Sequence, residues 1–248
     1  MLASGRKAFA FNPTDERVIQ SLREALVKSQ PITEEGFERI VRIVANWDYA
    51  DKMAGLDLLR CVASTPFVAQ YTDRRYDSVV DLAINSSLDT PTEGIQPNEN
   101  CVMMAVRTIV NLFQSVEGRQ VAANQVQTVT GYLERIVGLD AQPAIGKYNR
   151  NLLIAVTTAI LNYGILAHKS KAAADQALVK RFLDVLGTIL TEQTDGEVVY
   201  RALVALGTWF TVQPGPSAEA KAWVIGAVAK VEEDRISNIA EECLARIR

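Results

Sequence analysis

The chain has 248 residues, 48% of them hydrophobic and 22% charged, with a formal net charge of −3 at neutral pH. This composition excludes a disordered chain, because it supplies enough apolar side chains for a large core. Three cysteines stand singly without a CxxC pair and indicate buried thiols, not a disulfide framework or a zinc site. The N-terminus carries no apolar segment of signal-peptide length, which predicts a cytoplasmic or nuclear protein.

Charge is distributed unevenly along the chain. Residues 1–100 carry 11 basic and 15 acidic side chains, residues 101–181 carry 9 and 4, and residues 182–248 carry 6 and 10. A basic middle segment therefore lies between acidic ends, and an acidic peptide is a natural partner for it. Nucleic acid is a weaker alternative, because there is no Lys/Arg run, no aromatic stacking platform and no recognisable binding motif.

The front of the chain predicts amphipathic helices separated by turn residues. Residues 1–12 are expected to be poorly ordered, and the polar run 89–100, with its two prolines and a glycine, is the longest predicted loop. The first predicted helix follows a turn and N-cap signal at residues 12–15 and runs to about Lys28. Further helices are predicted from Thr33 to Trp47, from Ala54 to Ala63 and from Arg74 to Ser86.

From residue 100 onward the helices come in pairs whose first member is the more apolar. The first helices read NENCVMMAVRTIVNLF, NRNLLIAVTTAILNYGIL and GEVVYRALVALGTWF, and their partners read GRQVAANQVQTVTGYLERIV, ADQALVKRFLDVLGTIL and AEAKAWVIGAVAKV. An α-solenoid needs this asymmetry, because an inner helix is sandwiched between neighbours while an outer helix keeps a solvated face. A last helix, Ile236 to Ile247, is predicted to cap the array.

The longest apolar stretch is Asn149 to Lys169, which reads as a helix that is apolar almost all round. Its length is close to that of a membrane span, but its Asn, Tyr and His residues make it a poor membrane anchor. We therefore predict the inner helix of a stacked array and no membrane association.

Repeat spacing supports the same architecture. Asn111, Asn162 and Thr208 occupy similar places in the three apolar helices and are separated by 51 and 46 residues. Armadillo and HEAT repeats have lengths of about 40 to 47 residues. The sequence predicts an all-α, armadillo/HEAT-like α-solenoid of about five to six helical repeats, with no competing strand pattern.

The sequence offers little for catalysis. It contains no HExxH, GxSxG, P-loop or dinucleotide-binding motif, and His168 is its only histidine. His168 and Lys169 end an apolar helix, where positive side chains suit the negative end of the helix dipole. We predict a non-enzymatic protein with no catalytic residue, no metal site and no cofactor.

Polar side chains recur on the apolar helices at helical spacing. Arg107 shares a face with Asn111, Thr158 with Asn162, and Arg201 with Thr208. Because an unpaired guanidinium is costly to bury, each arginine must reach solvent or a partner. Stacked repeats would align these residues along one concave groove. The alternative is that each arginine pairs with a carboxylate of an adjacent repeat.

At these residues the sequence resembles the PUL domain, the armadillo-like C-terminal module of phospholipase-activating protein and its fungal relatives. The resemblance covers nearly the whole chain, so a single domain over residues 1–248 is predicted. It is carried by GLDLLRCVAST, MAVRTIVNLF, LLIAVTTAILNYGILAHK and YRALVALGTW, in this order.

The resemblance implies a non-catalytic adaptor in ubiquitin-dependent protein handling that binds the acidic C-terminal tail of the AAA ATPase valosin-containing protein. It implies Arg107 and Arg201 as basic groove residues, since a guanidinium can hold a carboxylate through two hydrogen bonds. Further candidates for the same surface are Asn111, Asn162, Tyr163 and Lys169. The alternative function is a helical-repeat scaffold or nucleic-acid-binding module that uses the basic central segment. The amphipathic last helix predicts a monomer.

Overall fold

In the computed structural model, the residues described are 13–28, 30–71, 75–90, 94–140, 142–170, 175–213 and 218–247. Within them every helix or strand that forms a regular element is a helix. The chain divides after Gln125 into two compact units. Unit 1 contains α1 (Pro13–Val27), α2 (Glu34–Asn46), α3 (Lys52–Val62), a 3-10 helix (Pro66–Gln70), α4 (Val79–Leu88), α5 (Glu99–Leu112) and α6 (Val116–Asn124). Unit 2 contains α7 (Val126–Val137), α8 (Arg150–Ser170), α9 (Gln176–Glu192), α10 (Gly196–Val212), α11 (Ala218–Lys230) and α12 (Asp234–Arg246).

Residues 1–12, which are predicted to be poorly ordered, lie outside the described residues. Three residues of the predicted loop 89–100 also lie outside them. The remaining loop residues are not helical up to Asn98, whose side chain accepts a hydrogen bond from the amide of Asn100 and caps α5. The single domain over residues 1–248 stays a prediction.

Unit 1 is a stack of short helices around α3 and α5. α2 begins where the Thr33 hydroxyl accepts a hydrogen bond from the Gly36 amide at 3.1 Å, and its side chains Phe37, Ile40 and Val44 are buried. α3 packs between α2 and α5, and α4 packs on α5. These contacts bury the apolar helix faces that the 3.6-residue period predicts, and so remove them from water.

Two predicted elements of unit 1 differ from the structure. α4 begins at Val79 and not at residue 74, because the Ser78 hydroxyl accepts from the Asp81 amide and fixes the helix start. The outer helix predicted from residue 118 to residue 137 is broken at Gln125, which ends α6 with a non-helical backbone. α6 packs on the 3-10 helix while α7 packs on α9, so the two halves of that predicted helix belong to different units.

Unit 2 places its helices in two rows. α10 packs between α8 and α12 in one row, and α9 packs between α7 and α11 in the other. α10 also packs on α9 and therefore joins the rows. The predicted pairing of an apolar inner helix with a more polar outer helix is confirmed here, with α8 and α10 as the apolar members.

α8 is the long apolar helix of the sequence. It is long and apolar enough to cross a membrane by composition, yet half of its most apolar 18-residue window is buried against the rest of the chain. Gly164 lets α10 approach closely, because a Cβ at this position would lie 3.2 Å from the Trp209 indole nitrogen. That nitrogen donates to the Ile160 carbonyl at 3.1 Å. Packing in a helical core thus accounts for the composition of α8.

Side-chain hydrogen bonds join neighbouring helices at intervals of about one repeat. Asn111 donates to the Arg60 carbonyl 51 residues earlier, and Trp209 donates to a carbonyl 49 residues earlier. The Cys243 thiol lies 3.4 Å from the Leu203 carbonyl, 40 residues earlier. These intervals are close to the armadillo and HEAT repeat lengths of about 40 to 47 residues, although two of them are slightly longer.

Candidate functional site

The candidate site in unit 2 is the accessible face of α8 and α10. We call it the α8–α10 surface and define it by Thr158, Asn162, Glu197, Arg201 and Thr208, each of which is partly exposed. Most of the intervening residues of both helices are buried, so the helical period that buries one side leaves this polar stripe on the other. The Arg201 guanidinium reaches from α10 to within 3.5 Å of the Thr158 hydroxyl oxygen on α8.

Arg201 has an acidic partner on its own helix. Its Nε lies 2.6 Å from Oε1 of Glu197, one turn earlier, and 43% of its side chain is exposed. Hydrogen bonds from Arg201 and then Arg235 lower the pKa of Glu197 below its ordinary value. Arg201 thus pairs with a carboxylate of its own helix and not, as the alternative prediction had it, with one of an adjacent repeat.

The same carboxylate receives a second guanidinium. Arg235 of α12 places Nη1 2.8 Å from Oε2 of Glu197 and Nε 2.7 Å from Oε2 of Glu233. Its guanidinium carbon lies 5.1 Å from the centre of the Tyr200 ring, in cation–π geometry. Glu197 thus bridges arginines from two neighbouring helices.

The start of α10 is fixed by a second acidic residue. Asp195 accepts hydrogen bonds from the amides of Glu197 and Val198, both at 3.1 Å, and pairs with Arg150 of α8 at 2.9 Å. Burial would raise the pKa of Asp195, but the Val198 amide and Arg150 outweigh it and the pKa is lowered. This cap sets the position of Glu197 and Arg201 along the α8–α10 surface.

In unit 1 the predicted residues Arg107 and Asn111 lie on α5. Asn111 is a structural residue here, since its amide donates to the Arg60 carbonyl of α3 at 2.8 Å. Arg107 is partly exposed, and its guanidinium forms no hydrogen bond or ion pair with another residue of the described ranges.

The other predicted residues take different positions. Tyr163 is buried, and its ring stacks on Phe182 with centroids 5.4 Å apart, so it contributes to the core and offers no ring to a ligand. Burial also raises the pKa of its phenol. Lys169 is exposed in the last turn of α8, next to His168, whose Nδ1 lies 3.4 Å from the Thr211 hydroxyl.

Part of the basic middle segment is paired with acidic residues within unit 2. Three of its cations pair with carboxylates of the acidic last third at distances of 2.7 to 2.9 Å. These pairs are Lys147 with Glu192, Arg150 with Asp195 and Lys180 with Asp184. Such pairing reduces the charge that this segment can present to a polyanion.

Burial affects the thiols of all three cysteines. Burial raises the pKa of the Cys61 and Cys101 thiols, and that of Cys243 to about 11, which disfavours the reactive thiolate. The described part of the chain holds no group of three or more His, Cys, Asp or Glu side chains placed to bind a metal ion.

Comparison with known proteins identifies the family. Residues 1–242 match the PUL domain. The chain belongs to the PUL domain family. It is 27% identical over 177 residues to phospholipase A-2-activating protein of Xenopus laevis, a match that covers 71% of this chain and 20% of that protein. This PUL domain thus spans about a fifth of the length of the curated relative it matches.

Solved structures similar to this PUL domain include a designed armadillo repeat protein. An engineered protein has a TM-score of 0.56 at 14% identity, covering 95% of this chain and 96% of its own. A designed armadillo repeat protein has a TM-score of 0.53 at 12% identity, covering 94% and 87%. These similarities concern the fold alone, and they confirm the predicted all-α, armadillo-like class.

Family and fold together make the chain a protein-interaction domain of a typically non-catalytic kind. Sequence reasoning missed Glu197 of the α8–α10 surface and Arg235 of α12, which pairs with it. The i,i+4 spacing of Glu197 and Arg201 was a readable signal for the first. No signal marked Arg235, because its approach to Glu197 depends on how α12 packs on α10.

Proposed function

We propose that this PUL domain binds the acidic C-terminal tail of the AAA ATPase valosin-containing protein and acts as a non-catalytic adaptor in ubiquitin-dependent protein handling. It would do so as a monomer, in the cytoplasm, the nucleus or both. Family membership and the arginines on the apolar helices support this proposal.

The observation that carries the proposal is the state of Arg107. It lies on an apolar helix, is partly exposed and has no acidic partner in the described ranges. A guanidinium in this state is already partly desolvated, and an external carboxylate can engage it through a bidentate, charge-assisted contact. In unit 2, Arg201 supplies a second guanidinium, and the Thr158 hydroxyl lies beside it.

Isothermal titration calorimetry with a synthetic tail peptide tests the proposal. Arg107→Ala and Arg201→Ala should each weaken binding by about 1 to 3 kcal/mol, because each removes a charge-assisted contact. Binding should also weaken as salt is raised, since part of the affinity is electrostatic.

Matched controls are available in both units. Arg23 on α1 is exposed in unit 1, and Arg246 on α12 is exposed in unit 2. Replacing either by alanine removes one positive charge from the same unit and should leave peptide affinity unchanged. Loss of affinity in all four variants alike would indicate a general charge effect, and no binding by the unmodified chain would overturn the proposal.

A further inference from the structure

Two guanidiniums converge on one carboxylate at the edge of the α8–α10 surface. Glu197 receives Arg201 on Oε1 at 2.6 Å and Arg235 on Oε2 at 2.8 Å. The arginines belong to different helices, α10 and α12, which pack against each other. Each oxygen of the carboxylate thus receives a separate charged donor, an arrangement that any carboxylate of suitable position could accept.

The arginines stay accessible, and each has a contact besides Glu197. Their side chains are 43% and 45% exposed, whereas that of Glu197 is 25% exposed. Arg235 also bonds to Glu233 and lies over the Tyr200 ring, and Arg201 reaches the Thr158 hydroxyl. If the Glu197 side chain turned away, both guanidiniums would remain oriented toward the vacated position.

We propose that Arg201 and Arg235 form a carboxylate subsite for an acidic peptide and that Glu197 occupies this subsite in the free chain. The inference rests on the proposed function and assigns to it a new contact residue, Arg235, and an internal competitor, Glu197. Binding exchanges one ion pair for another, so the affinity reflects the difference between the peptide carboxylate and Glu197.

Glu197→Gln gives the sharpest test. It removes the competing charge while keeping the side-chain size, so calorimetry should show the acidic tail peptide binding roughly 5- to 20-fold more tightly. A purely structural role for Glu197 predicts unchanged or weaker binding instead. Glu242→Gln on α12 is the matched control, because Glu242 pairs with Arg246 at i,i+4 and should have no effect on affinity.

Arg235→Ala tests the newly assigned contact. It should weaken peptide binding by roughly tenfold, as expected for loss of a charge-assisted pair, while Arg246→Ala does not. In the double variant Glu197→Gln/Arg235→Ala, most of the gain from Glu197→Gln should disappear. A control peptide with its Asp and Glu residues replaced by Asn and Gln should respond to none of these changes.

The outcomes separate the inference from the proposed function. If the peptide binds and Arg107→Ala weakens it, but Glu197→Gln does not tighten it or Arg235→Ala has no effect, the carboxylate subsite is wrong and the proposed function stands. If the unmodified chain does not bind the peptide, both fail. Should Glu197→Gln not fold, Glu197→Asp retains the charge but shortens the reach to the two arginines, and it too should tighten binding.

Discussion

Glu197 and Arg201 lie one turn apart on α10 and are joined by an ion pair of 2.6 Å between Oε1 and Nε. The arginine identified from the sequence as a groove cation is therefore not an unpaired charge in unit 2. Its counter-charge comes from its own helix, and the same carboxylate holds α12 through Arg235. Under the proposed carboxylate subsite, peptide affinity should depend on the protonation state and the identity of residue 197.

Acid stability should depend on Glu197. Because its folded-state pKa lies below its ordinary value of 4.5, the carboxylate stabilises the fold at pH values above 4.5 and loses this contribution as the pH falls through the lowered pKa. The melting temperature should therefore fall more steeply below pH 4.5 in the natural chain than in Glu197→Gln. Melting curves followed by circular dichroism between neutral and acidic pH check this, and parallel curves would contradict it.

Gly187 of α9 should not tolerate a side chain. A Cβ there would lie 2.5 Å from two ring carbons of Trp223, so Gly187→Ala must displace the indole that packs α11 on α9. Although alanine favours a helix, we expect a net loss of about 1 to 3 kcal/mol in the free energy of unfolding from overpacking. Urea denaturation measures it.

Gly226 of α11 offers the matched control. A Cβ there meets nothing within 4 Å, so Gly226→Ala should keep the helix-propensity gain of about 0.5 to 1 kcal/mol. The two Gly→Ala changes should thus have opposite signs. The same sign for both would show that contact with Trp223 does not govern residue 187.

Tyr49 should anchor the loop before α5. Its hydroxyl donates to the Ser87 carbonyl at 3.0 Å and accepts from the Asn98 amide at 2.6 Å, so Tyr49→Phe removes both bonds. We expect the free energy of unfolding to fall by about 1 to 3 kcal/mol and the Asn98 amide to exchange hydrogen faster. Tyr148, which is 78% exposed, provides the control: Tyr148→Phe should change neither quantity.

The three cysteines should differ in how fast a thiol reagent labels them. With a pKa of about 11 in place of 9.0, Cys243 holds roughly a hundredfold less thiolate at neutral pH, and it is also fully buried. A maleimide should therefore modify Cys61, which is partly exposed, before Cys243 and Cys101, which should react only after unfolding. Mass spectrometry of digested, labelled protein identifies the order, and early modification of Cys243 would contradict its placement.

The helices were predictable because their signals are local. Thr33 before Glu34 and Glu35 predicts the start of α2, and the structure shows its hydroxyl capping the Gly36 amide. The missed break at Gln125 has a tertiary cause, since the residues before and after it pack on different partners. Periodicity cannot report such a choice, because both halves keep a helical pattern.

Only those features of the candidate site that depend on a single helix were predictable from the sequence. Arg107 and Arg201 stand out because they interrupt apolar helices, but Tyr163 satisfies the same criterion and is buried against Phe182. Which face of α8 each polar residue occupies follows from the 3.6-residue period, and a shift of about half a turn, roughly two residues, reverses it. Pairing across helices, as between Arg235 and Glu197, depends on packing that no single helix encodes.

The hydrogen bonds between neighbouring helices also bear on how the chain folds. Those formed by Asn111, Trp209 and Cys243 span 51, 49 and 40 residues, a small part of a 248-residue chain. Each pair of repeats can therefore close its own loop at a modest entropic cost, without waiting for distant segments to meet. Folding can begin at any such pair and spread to its neighbours, which gives a chain of this length several short routes to its native state.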